Sequence, residues 1–145
     1  MGRYLRRIDI SSRSALLAAG DVLALALFVY AGELRHGFPP TSYPGRFAGT
    51  LVPFVTGWVV AATVAGLYGG RTGASLRETV RAVVPAWLGA MVLAHGLRAT
   101  PLFHGGTGPA FVVVSTLGGG ALVVGWRALV ALAAGASPVG RPDAR

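Results

Sequence analysis

The chain has 145 residues; 53% are apolar, and thirteen basic residues against five acidic ones leave a net charge of +8. That length holds one domain, and that apolar share belongs to a membrane protein rather than a soluble one. The absence of cysteine excludes a disulfide framework, a thiolate metal site and haem attachment.

Residues 1–13 carry Arg3, Arg6, Arg7 and Arg13 and read as a basic cytoplasmic segment. A spanning helix needs about 20 mainly apolar residues, and residues 14–34 supply the first such run. A cleaved signal peptide is the rival reading. The run is long, Asp21 interrupts it, and no small-x-small cleavage site is clear near its end. Loop 37–46 is stiffened by three prolines, and its Phe38 and Tyr43 suit a membrane interface.

The second span is expected over 47–68 and the third over 76–97. Ser75 followed by Glu78 is a capping-box pattern at the start of the third. Loop 98–108 is glycine-rich, but it lacks the lysine and the strand of a phosphate-binding loop. Pro109 opens the fourth span, 109–132. Gly135 and Pro138 stop it, leaving 135–145 as a cytoplasmic tail. The expected architecture is all-α: an integral membrane bundle of four transmembrane helices over 14–134.

Every basic residue is an arginine, and the arginines flank the apolar runs instead of forming a basic face. The charge therefore reads as membrane orientation, and no nucleic-acid partner is expected. Four spans place ten arginines on the side of the two termini. Arg35, Arg46 and Arg98 fall on the other side. That asymmetry predicts a multi-pass plasma-membrane protein with both termini in the cytoplasm.

Small residues recur at a spacing of four: Gly57, Ala61 and Ala65 in the second span, then Ala82, Ala86, Ala90 and Ala94 in the third. Ser115 and Gly119, and Ala121 and Gly125, surround the run Gly118-Gly119-Gly120 in the fourth. Such faces let helices approach closely, either within one chain or between copies in a homo-oligomer. Pro53 and Pro85 lie inside helices, where each removes a backbone donor and frees a carbonyl.

Two groups of polar residues stand out. Asp21 lies roughly 10 Å from the cytoplasmic end of its helix, and Arg127 lies about 8 Å from the same end of the fourth. An unpaired carboxylate at that depth is costly. An Asp21–Arg127 ion pair that locks the bundle is one reading; a proton- or ion-binding site is another, and a neutral, protonated Asp21 bonded to a backbone carbonyl is the third. The second group sits near the outer face: Glu33, His36, His95, Arg98 and Ser115. In it Arg98 is placed to pair with Glu33, and Ser115 with His95. Glu33 and His36 have the spacing of a metal-ligating pair, but one pair does not define a site, so no metal is assigned.

Catalytic machinery is lacking. There is no nucleophile elbow, and intramembrane proteolysis needs two aspartates where the spans hold one. No catalytic residue and no cofactor is assigned. The first functional reading is a non-enzymatic bundle acting by association, with the lipid bilayer as its setting and any small-molecule ligand unknown. The second is a minimal transporter, or an ion- or proton-coupled carrier, using Asp21 or the Glu33/His36/Arg98 cluster.

Gly20-Asp21, "GELRHG" at 32–37, "LRATPLFHGG" at 97–106, "FVVVS" at 111–115 and "GWR" at 125–127 carry a resemblance. The chain resembles the prokaryotic membrane family catalogued as domain of unknown function 3054. The resemblance implies a four-helix integral membrane protein and brings no known activity.

Overall fold

The computed structural model describes residues 11–69, 75–103 and 105–136. The arginines among residues 1–10, positions 70–74 of the second loop, His104 and the tail from 137 lie outside the described residues. Four helices are each long and apolar enough to cross a membrane, and no strand occurs among the described residues.

Local chemistry sets where each helix begins and ends. α1 spans Ser12–Arg35. It starts before the expected position 14 because Ser11 and Ser14 cap one another, each side chain bonded to the other's backbone N–H. It ends at Gly37, whose φ of 82° turns the chain back. The Gly37 N–H reaches the Leu34 carbonyl and the Phe38 N–H that of Glu33, the paired bonds of a Schellman motif.

α2 spans Pro44–Val64, not 47–68. Pro44 begins it, since a first-turn proline loses no helical bond. Gly66, with φ 70°, ends it through a second Schellman motif, the Leu67 N–H bonding to Ala62 and the Gly66 N–H to Thr63. α3 spans Leu76–Arg98 and opens with half of the expected capping box, Ser75 accepting from the Glu78 N–H. α4 is one rod in three parts: α-helix over Pro109–Val114, a π-helical turn over Ser115–Gly119, and α-helix over Gly120–Ala136. It runs on past the expected end at 132. α2 continues through Pro53 and α3 through Pro85.

The helices form a ring in which α1 packs on α2, α2 on α3, α3 on α4 and α4 on α1. The α2–α3 contact is the most extensive. Gly57 makes it close: a Cβ there would strike the Ala90 carbonyl oxygen and Ala94. The alanine stripe of α3 is therefore largely used inside the chain, with Ala86, Ala90 and Ala94 all buried. The glycine run of α4 is used inside as well. Gly119 and Gly120 receive the Trp87 ring, and Gly118 receives Phe28. Trp87 Nε1 donates to the Thr116 carbonyl in the π turn at 2.8 Å.

Leu25, Phe54, Trp58, Val83, Trp87, Met91 and Val123 fill the middle of the ring. Outward-facing positions are apolar too, among them Leu23, Val60, Val92 and Leu117, while Asp21, Glu33, Arg98 and Arg127 are buried. A surface of hydrocarbon around buried charge is the arrangement a bilayer demands.

Candidate functional site

The ring holds polar groups at its two ends. At the first, α1 presents Asp21 and α4 presents Arg127, 0% and 3% exposed. The Arg127 Nε donates to Asp21 Oδ1 at 2.8 Å, and its Nη2 donates to Oδ2, a two-pronged pair. Its remaining nitrogen, Nη1, donates to the Leu67 carbonyl at 3.2 Å. The Tyr68 hydroxyl donates to Asp21 Oδ2 at 2.8 Å. The guanidinium also lies 5.1 Å from the centre of the Tyr68 ring. Burial, and after it the Asp21 charge, hold the Tyr68 phenol well above its ordinary value, so it remains a donor.

Each nitrogen of the Arg127 guanidinium and both carboxylate oxygens of Asp21 thus have partners. This site ties α1, α4 and the turn after α2 together. Tyr68 and Leu67 were not among the residues singled out from sequence. They reach the pair because Gly66 stops α2 at Val64 and folds the next two residues back into the core. A tyrosine at the inner end of a span, level with a buried carboxylate, was the available signal.

At the second end, Glu33 is buried near the end of α1. The expected Glu33–Arg98 pair does not form. Glu33 Oε2 accepts from Arg46 Nε at 2.6 Å, and Oε1 accepts from the Thr50 hydroxyl at 2.9 Å. The reason is the early start of α2. It sets Arg46 in the first helical turn, with Thr50 four residues on along the same face. Neither residue was expected here.

His95 and Ser115 do meet, at 3.2 Å between Nε2 and Oγ. His95 also stands edge-on to Phe54 and Phe111, both 5.8 Å away. His36 is not on the helix with Glu33 but caps its end, exposed. Arg98 is 6% exposed and lies 4.6 Å from the centre of the Phe111 ring. Its Nε and Nη1 have no hydrogen-bond partner among the described residues. A cleft of about 530 Å³ opens here, and Glu33, His36, Arg46 and Arg98 all line it. Among the described residues no three His, Cys, Asp or Glu side chains come together as a metal site would require.

Fold and sites together define an all-α bundle of membrane-spanning helices, pinned by a buried ion pair at one end and open as a charged cleft at the other. The chain belongs to the family described as "Protein of unknown function (DUF3054)", whose model matches residues 18–130. The match takes in Asp21, Glu33, Arg98 and Arg127 alike. No curated protein and no solved structure matches the chain.

Proposed function

We propose that this protein is a non-enzymatic membrane bundle that acts by association within the bilayer, in the plasma membrane with both termini cytoplasmic. One observation carries the reading: apolar packing closes the space between the two polar ends. Trp58, Val123, Leu25 and Ala90 are fully buried there, and Met91 and Trp87 nearly so. Of the threonines between the two ends, Thr56 faces outward and Thr63 and Thr116 are half-buried. A carrier needs a route between its faces. Asp21 is committed to Arg127 and Tyr68.

Association needs a surface that packing has not consumed. The outward groove between α1 and α4, about 500 Å³, has Ala121 and Gly125 as hollows and Leu23, Leu27 and Leu129 as ridges. A face with both hollows and ridges suits a two-fold contact with a second copy of the chain. The absence of native cysteine permits a clean test. Leu122→Cys, in the groove, is expected to cross-link between copies in native membranes, whereas Val92→Cys on the outward face of α3 is not. Equal cross-linking at both positions, or none at Leu122→Cys, counts against self-association. Solute uptake by proteoliposomes that hold the protein, and not by empty ones, would instead establish transport.

A further inference from the structure

The cleft at the Glu33 end contains a guanidinium whose hydrogen-bonding edge the described residues leave open. Arg98 is 6% exposed, yet its Nε and Nη1 donate to nothing. The ring of Phe111 lies against the guanidinium but accepts no hydrogen bond at its edges. Arg35 and Arg46 line the same cleft. Among the described residues the one carboxylate lining it, Glu33, is already taken by Arg46 and Thr50. Three guanidinium groups thus share one carboxylate, which favours an anion. Gly105 approaches so closely that a Cβ there would collide with the Arg98 guanidinium.

The cleft is also amphipathic. Below the arginines its wall is apolar, with Phe28 and Val114. Arg98 is the last residue of α3, where a spanning helix meets the headgroup layer. The anion abundant at that level is phosphate. Guanidinium edges match phosphate oxygens, and basic pockets between spanning helices hold lipid headgroups.

We infer that this cleft binds an anionic phosphate group through Arg98, as carried by a phospholipid whose chain runs along Phe28 and Val114. The inference does not depend on the oligomeric state.

The test uses the full-length protein, delipidated in a neutral detergent, titrated with dihexanoyl phosphatidylglycerol and separately with inorganic phosphate. The lipid is expected to bind saturably and to raise the unfolding midpoint. Arg98→Gln should weaken that binding by about tenfold or more, as loss of a charge-assisted contact does. It should leave the ligand-free midpoint unchanged or higher, because it removes a buried guanidinium whose Nε and Nη1 make no hydrogen bond among the described residues. Val114→Trp, which fills the apolar wall, should weaken the lipid and spare inorganic phosphate. Binding of the lipid alone identifies a headgroup as the source. Equal, Arg98-dependent binding of both probes identifies free phosphate. Binding of neither probe, or binding that survives Arg98→Gln, overturns the inference. So does a lower ligand-free midpoint in Arg98→Gln, which would tie Arg98 into the fold itself.

Discussion

Three hydrogen bonds end on the Asp21 carboxylate, two from Arg127 and one from Tyr68. Removing one member of such a buried pair strands the other. Asp21→Asn and Arg127→Gln are each expected to lower stability by about 3–5 kcal/mol, measured by unfolding in one fixed detergent. The double variant should lose clearly less than the sum, which is the signature of direct coupling. In the same assay Tyr68→Phe should lose about 1.5–3 kcal/mol, a hydrogen bond to a charged group. Additive losses would remove the pairing. Depth along the helices, counted at about 1.5 Å per residue, was enough to match Asp21 with Arg127 from sequence. The same arithmetic misassigned Glu33. It placed Arg98 at the right level but could not show that Pro44 starts α2 early and brings Arg46 nearer.

At the scale of elements, hydropathy and length made all four helices legible, because a bilayer sets a minimum apolar run. Their ends were less so. The end of α2 shifted from 68 to 64 because Gly66 adopts a positive φ among apolar neighbours that do not mark a turn. The π turn in α4 was also invisible: the glycine run read only as a packing face. Gly57 was read as part of a stripe, and the structure gives it one particular neighbour, the Ala90 carbonyl. Gly57→Val is expected to destabilise by about 1–3 kcal/mol through overpacking. Gly89→Val, at an exposed position of α3 with open space around it, serves as the control and should be close to neutral. Equal effects at the two positions would show that the α2–α3 contact is looser than described.

For the molecule as a whole, four successive spans return the chain to the side where it began. Reporter fusions to the two termini should therefore report the same compartment, and the proposed orientation, drawn from the arginine asymmetry, expects it to be the cytoplasm. Opposite compartments would contradict a four-span bundle. The stripes of small residues bear on the same scale. From sequence they served equally for contacts within a chain and between chains. The structure commits most of those on α2 and α3 to the interior, because Gly57 draws the two helices together. The α1–α4 groove still offers Ala121 and Gly125 on its outward side.

The ion pair also has a consequence for how the protein is made. Asp21 and Arg127 are 106 residues apart in the chain. At a synthesis rate of about 5–20 residues per second, α1 waits roughly 5–20 s for its counter-ion. Through that interval the first span carries a carboxylate that the Tyr68 hydroxyl can reach but that has no counter-ion until the last helix emerges. A chain cut short before α4 would keep that carboxylate in its first span without a counter-ion, at the cost of holding a lone charge in hydrocarbon.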